Sequence, residues 1–407
     1  MRKRSTWNDA GRPGERSVKA GMVSRLGKGA GAGFVLALAL VCAAGAAEEA
    51  DWKASGSGKM DRNIPGLEIT GSYTPSYATG FSITDYTGGC SMISVKDGTG
   101  YLVVPEGANV PDDLPDGVTL ARQPVKSVYL ANSAGMCRFD SIGAVDCVAF
   151  SGVDMDDWEI ASAAEAMKHG SMVYAGKYSA PDYELLLTGG CDLAIENLMI
   201  LHKPEVMEKL TTLGIPVFLD RSSEESEPLG RTEWVIPYGV LTGKREEAEF
   251  AFDEQADMVL ALKDLPETGK TTAYFYVNSQ GQIVCPKSVS SVPKMIQCAG
   301  GTYVPEGLDD ESTGLASQVR MDMESFLTKA GDADYLIYDA TINPVSSLQD
   351  LLDINPLFGK FKAVREGNVY ITRTSMYQNS DKTGSIIRDF HTMLTGSGDM
   401  EYISKAE

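Results

Sequence analysis

Short apolar runs recur along most of this chain, each followed by a stretch whose apolar positions fall three and four apart. The runs at 127–130, 148–150, 193–195 and 217–219 read as strands, and the stretches around Ala163 to Met167, Glu184 and Glu205 to Leu213 read as helices. Strands alternating with helices in this way predict a mostly parallel sheet covered on both faces. Upstream, the β-rich arms 91–95 and 101–105 flank Asp97-Gly98 and predict a hairpin. The Asp97-Gly98-Thr99-Gly100 phrase is a turn and not a phosphate loop, since no helix follows it.

Between Gly243 and Pro266 the pattern becomes one long helix, with Ala248, Phe252, Val259 and Leu262 on a single apolar stripe. At 1.5 Å per residue it spans roughly 30 Å, enough to bridge two lobes. The strand and helix alternation then restarts, with strands at 272–277, 335–338 and 369–372. One phrase also occurs twice. Tyr183-Glu184-Leu185-Leu186-Leu187-Thr188 leads to Leu193-Ala194-Ile195, and Met323-Glu324-Ser325-Phe326-Leu327-Thr328 leads to Tyr335-Leu336-Ile337-Tyr338. Each copy reads as a helix with a glutamate near its start, then a buried strand.

The predicted fold is therefore α/β: two Rossmann-like lobes with mostly parallel sheets, joined by one long helix and preceded by a β-hairpin. The expected organisation is a leader over 1–47, a tether over 48–75, a first lobe over 76–243, the connecting helix over 244–266 and a second lobe over 267–407. Two similar lobes around one cleft suggest binding before they suggest catalysis.

Length and charge sharpen this picture. At 407 residues the chain suffices for two ordinary domains. Its first thirty residues carry eight Lys/Arg against Asp9 and Glu15, and the uncharged run from Gly29 to Ala47 follows, the layout of an export signal. Cleavage after Ala44-Gly45-Ala46 and lipid attachment at Cys42 both stay open, although Val41 is bulkier than a lipid-attachment motif prefers. An uncleaved anchor is the alternative to export with processing. Without that basic leader of +6 the formal charge of −20 becomes −26, so nucleic acid and anionic membranes are poor partners and a cationic protein surface is a good one. Six further cysteines (Cys90, Cys137, Cys147, Cys191, Cys285 and Cys298) form an even set that fits disulfides in an exported chain, with Cys285 and Cys298 as one pairing suggested by spacing and buried free thiols as the alternative.

Other signals fail on inspection. Gly269-Lys270-Thr271-Thr272 ends like a phosphate-binding loop, but Asp264 stands where its leading glycine belongs. Asp154-Met155-Asp156-Asp157 lacks the glycine and final glutamate of a calcium loop. Only His169, His202 and His391 exist, in unrelated contexts, so no three-histidine metal site is expected. No nucleophile elbow is present either, and no catalytic residue is assigned.

Six phrases carry a resemblance when taken in order. After the hairpin come Pro124-Val125-Lys126-Ser127-Val128-Tyr129-Leu130, Pro181-Asp182-Tyr183-Glu184, Leu213-Gly214-Ile215-Pro216-Val217, the long helix, Ala299-Gly300-Gly301-Thr302-Tyr303-Val304 and Phe361-Lys362-Ala363-Val364-Arg365-Glu366-Gly367. Over about residues 75 to 400 the chain resembles the substrate-binding proteins of iron-complex and cobalamin importers, the class joined by one rigid helix. The resemblance implies an extracytoplasmic protein, in the periplasm or on the cell surface, that captures a ferric siderophore or haem between its lobes. It implies a monomer that delivers the ligand to the permease and ATPase of an ATP-binding cassette transporter, with no intrinsic cofactor. One glutamate per lobe would dock onto permease arginines, and by position these are Glu184 and Glu324; the alternative is that each only complements its helix dipole.

Ligand contacts are expected on loops after strand ends. The resemblance points to Tyr178, as a phenolate ligand, a stacking wall or an ordinary loop tyrosine. Arg231 follows the strand ending at Asp220 and offers a fork for carboxylates or catecholates, or else a salt bridge to Glu224, Glu225 or Glu227. Met136 is a soft ligand, a wall or core. Asn278, Ser279, Thr341, Met376 and Tyr377 are cleft candidates by position. A cobalamin binder, a metal chelatase on a related two-lobed fold and a surface adhesin are the competing readings.

Overall fold

Successive residues of a strand point to opposite faces, so a strand apolar at every position must be covered twice, and the computed structural model shows this in both lobes. It describes residues 63–111, 113–308, 317–396 and 398–407. The leader, including Cys42, lies outside them.

The first sheet runs β1 (Ile69–Tyr73), β2 (Phe81–Tyr86), β3 (Ser91–Val95), β4 (Gly100–Pro105) and β5 (Val118–Gln123) in spatial order, antiparallel except for the parallel β4/β5 pair. The predicted hairpin is thus the β3/β4 core of a larger, five-stranded sheet. Ile64 is buried and β1 is paired, so the folded part begins inside the stretch expected to be tether.

The first lobe holds β6 (Val128–Leu130), β7 (Val148–Ser151), β8 (Val173–Tyr174), β9 (Leu193–Asn197) and β10 (Val217–Asp220), all parallel, in the order β10-β9-β6-β7-β8. Val128 and Leu130 enter one core while Tyr129 enters the core on the other face. In the second lobe β11 (Thr271–Val277), β12 (Ile283–Pro286), β13 (Thr302–Val304), β14 (Gln318–Met321), β15 (Tyr335–Tyr338), β16 (Val369–Thr372) and β17 (Ile403–Lys405) make a sheet whose β11, β13, β15 and β16 are parallel and whose flanks are antiparallel. Leu336 and Tyr338 face one core there, and Ile337 the other.

The connecting helix spans Arg245–Lys263. Gly243, at φ 74°, ends the preceding helix Val235–Thr242 in the left-handed conformation that glycine adopts without strain, so the chain turns and restarts. Ala248, Phe252 and Ala256 join the first-lobe core, Leu262 packs on the second-lobe core, and Val259 between them touches both. The predicted stripe is therefore divided between the lobes, which anchors the rod at both ends. Gly384 of the second lobe meets this rod so closely that a Cβ on it would lie 2.2 Å from the Gln255 carbonyl oxygen.

The six described cysteines are free thiols, contrary to the disulfide expectation. Cys285 is buried on β12 in one second-lobe core, whereas Cys298 is exposed at the end of the helix Ser291–Cys298, which packs on the opposite core. The sheet itself separates them. Among the described residues no helix is long and apolar enough to cross a membrane.

Candidate functional site

In an open parallel sheet the crevice opens where strand order reverses direction, beyond the strand ends. In the first lobe the switch lies between β6 and β9, and Asn132, Asn197 and Asp220 stand at the ends of β6, β9 and β10. These residues line a cleft of about 460 Å³ between the lobes, within the range of small-molecule sites. Arg138, Met199 and Arg231 are among the others on its first-lobe wall; Tyr274, Val292, Met295, Asp339, Thr341, Met376 and Tyr377 form much of the opposite wall.

The floor of the first wall is a buried charge network. Asp220 Oδ2 accepts from Asn132 Nδ2 at 3.2 Å, Arg138 at 3.1 Å and the Tyr238 hydroxyl at 2.7 Å, while Oδ1 accepts from the Ser222 amide at 2.8 Å. Asn132 also caps the helix Ser133–Ser141 by accepting from the Ala134 amide at 3.1 Å. Arg138 is 0% and Asp220 1% exposed. Burial works against the Arg138 charge, but Asp220 more than offsets it and raises the guanidinium above its ordinary range. Burial and then Asp220 push the Tyr238 phenol well up, so it stays a donor.

Arg231 is different. Its side chain donates to the Glu225 carbonyl at 3.3 Å and the Ser223 carbonyl at 3.0 Å, and no carboxylate pairs with it among the described residues. The alternative of a salt bridge to a nearby glutamate is not realised, because those glutamates are otherwise engaged. Glu224 pairs with Arg221 and Glu227 with Lys294. Glu233 accepts from the Tyr73 hydroxyl and the amides of Ser76, Tyr77 and Ala78, and Glu225 from Thr79, Gly80 and the Trp234 indole. Those two carboxylates tie the first sheet to the lobe and leave Arg231 only carbonyls. Burial, then repulsion from Arg138, lowers the Arg231 pKa from its ordinary value.

On the opposite wall Asp339 accepts from the amide of Thr341 at 3.0 Å and from its hydroxyl, which pins the loop after β15. Burial and then the Asp339 charge keep the Tyr274 phenol neutral. The rest is adaptable apolar surface. Met295 and Met376 are thioethers facing the cleft wall of Met199, and Tyr377 at the mouth is 62% exposed.

Of the residues singled out from sequence, Arg231, Thr341, Met376 and Tyr377 line this cleft. Met136 does not: it is 0% exposed in the first-lobe core. Ala134 and Arg138, four apart on its helix, face the cleft, and Met136, midway between them, faces away. Tyr178 packs on the core of the other sheet face. Asn278 closes the β11/β12 turn, accepting from the amides of Gln280 at 2.9 Å and Gln282 at 3.0 Å, because β11 runs into a hairpin at that end. Neither is a cleft residue. Arg138, Asp220, Asn132, Tyr274 and Asp339 went unassigned, although polar residues ending apolar strands were a visible signal for three of them.

Glu184 and Glu324 are both exposed and outside the cleft lining. Their surroundings match: Asp182 and Asp322 cap the two helices, and Thr188 and Thr328 donate back to the carbonyls of Glu184 and Glu324. Among the described residues no His/Cys/Asp/Glu cluster suits a metal ion. A second concavity of about 570 Å³, lined by Glu267, Ser288, Gln297 and Tyr303 among others, belongs to the second lobe alone and has no buried cation.

No protein-family model matches the chain. Two curated relatives, both uncharacterized lipoproteins of Methanocaldococcus jannaschii, are 27% identical over 246 residues (58% of this chain, 56% of the relative) and 25% identical over 213 residues (49% and 53%). The chain thus spans about half the length of the curated relatives it matches. Among solved structures, a periplasmic binding protein from Veillonella parvula aligns with TM-score 0.55 at 18% identity, over 68% of this chain and 93% of that one. A periplasmic heme binding protein from Pseudomonas aeruginosa gives 0.54 at 14%, over 69% and 98%. A protein of an Fe3+-hydroxamate transport system from Saccharomonospora viridis gives 0.52 at 16%, over 68% and 94%. These likenesses establish the fold, which is that of the binding proteins the sequence resembles.

Proposed function

We propose that this protein is the extracytoplasmic substrate-binding component of an ATP-binding cassette importer, capturing an anionic iron complex between its lobes. The observation that carries the reading is Arg231: a partly buried guanidinium on the cleft wall with no carboxylate partner, beside a second guanidinium already neutralised by Asp220. A cation left in that state favours a ligand that brings its own anionic oxygens. The thioethers of Met295 and Met376 on the opposite wall, with Met199 across from them, then take the hydrophobic part of the chelate. The solved relatives named for heme and Fe3+-hydroxamate transport support this ligand class, and the relatives named as lipoproteins support anchoring through Cys42.

Glu184 and Glu324 serve as the pegs that set the permease onto the two lobes. Exposed charges of this kind steer encounter and fix registry. The protein itself does no chemistry in this reading; the ATPase partner does.

Absorbance and calorimetric titration of the purified protein with an anionic ferric catecholate, haem and cobalamin tests the proposal. Saturable binding of a ferric complex is expected, and a shifted Soret band selects haem. Preference for cobalamin moves the reading to the sister ligand class, and binding of none of the three overturns it.

A further inference from the structure

The stretch from Ser375 to Ser385 faces the cleft, the other lobe and the connecting rod in turn. Met376, Tyr377 and Ser380 line the cleft. Between them Gln378, 8% exposed, reaches across the seam to the first lobe. Its Nε2 donates to the Asp157 carbonyl at 2.7 Å, and its Oε1 accepts from the Glu159 amide at 2.9 Å. Both ends of one amide are thus bonded to main chain 219 and 221 residues away in sequence. Beyond it, Asp381 accepts from the Ser141 hydroxyl, and the Ser380 hydroxyl lies 3.7 Å from the Cys137 thiol. Ser385 then donates its amide to the Gln255 side chain on the rod at 3.1 Å.

The other links across the mouth are of a different kind: next to Gln378, Lys382 donates to the Ser141 hydroxyl at 2.7 Å and pairs with Asp381, and Thr383 donates to the Pro228 carbonyl at 3.4 Å. Lys294 and Glu227, 2.6 Å apart, are partly exposed, and a solvated pair of this type holds little. Asp381 is buried with Oδ1 unpartnered, so its contribution is offset by that bare oxygen. The Gln378 amide has its Nε2 donor and Oε1 acceptor both bonded to the facing main chain, and water replaces both bonds when the lobes part. Such a contact opens and closes without leaving an uncompensated charge behind.

We propose that Gln378 is a clasp that holds the two lobes together at one end of the cleft and positions Tyr377 on its wall, so that loss of this one amide eases opening of the seam. The functional meaning rests on the cleft being the ligand site; the mechanical claim does not. Gln378 acts through the seam and through Tyr377, and is a positioning residue.

Cys137 supplies a reporter, since its thiol is buried under Ser380 at this seam, 1% exposed. Cys285, 0% exposed in the second-lobe core, reports global unfolding. The ligand-free full chain is alkylated with N-ethylmaleimide, and each cysteine is followed by peptide mass spectrometry. In Gln378→Ala, Cys137 should react about tenfold faster or more, with Cys285 unchanged, as expected for local opening after loss of two hydrogen bonds. Gln378→Glu, which sets a buried carboxylate oxygen against the Asp157 carbonyl, should open the seam at least as much as Gln378→Ala. An unchanged Cys137 rate overturns the proposal, and so does a parallel rise at Cys285, which marks general destabilisation. Because no ligand is present, failure here leaves the importer reading standing, and failure of the titrations leaves the clasp standing.

Discussion

The two walls of the cleft are built on different physics. The first-lobe wall rests on charges taken out of water and satisfied one by one: Asp220 collects four donors, and Arg138 lies across the Tyr238 ring. The second-lobe wall is a neutral phenol, thioethers and an exposed tyrosine, with one carboxylate, Asp339, that is tied to Thr341 on the loop after β15. A buried charge network is stiff and intolerant of partial removal, whereas thioether surface repacks around different shapes. One side therefore fixes which way an anionic ligand points, and the other accepts the variety of what is attached to it.

The largest effect should come from breaking the stiff wall. Asp220→Asn leaves the Arg138 charge buried without a counter-ion and should lower stability by about 3–5 kcal/mol, read as a reduced denaturation midpoint with unchanged slope. No comparable loss is expected from any single change on the second wall. One strand over, Glu196 shows what the network prevents. It is buried on β9, both carboxylate oxygens lack partners, and burial pushes its pKa up to about 8. Its folded value is above its unfolded one, so the folded state binds the proton more tightly. Stability should be unimpaired below pH 4.5 and fall as pH rises through about 8. Glu196→Met should remove that slope and gain on the order of 3 kcal/mol at pH 7, measured by denaturation across pH.

Smaller effects separate the walls in binding. Arg231→Met should leave the fold intact and weaken an anionic ferric complex by roughly 1.5–3 kcal/mol, the worth of a charged hydrogen bond, with little loss for a neutral probe. Tyr377→Ala, removing a mostly exposed ring, should cost about 1 kcal/mol or less and do so for charged and neutral ligands alike. Equal losses in the two titration series would erase the distinction between a charged and an adaptable wall.

What was legible in the sequence is what is local. The strand and helix alternation, the connector stripe and the twin Glu184 and Glu324 helices each depend on residues within a turn or two of one another. The first sheet was only partly visible because β1 and β5 are half exposed and lack an apolar rhythm. The cleft floor was hidden for another reason: Arg138 and Asp220 are 82 residues apart and become partners only through sheet order. Met136 against Arg138 shows the resolution limit of reading a helix without knowing its facing side. Arg231 was found, but its meaning depended on Glu225 and Glu233 being drawn off by the 73–80 loop, which no spacing announces.

Where Gly384 touches Gln255, two backbones meet with no side chain between them as a cushion. That makes the contact a fulcrum set close to the axle, so a slight tilt there is magnified along the lever toward the rim of the cleft. A single added methyl would act as a doorstop, holding the two backbones apart and keeping the door from seating.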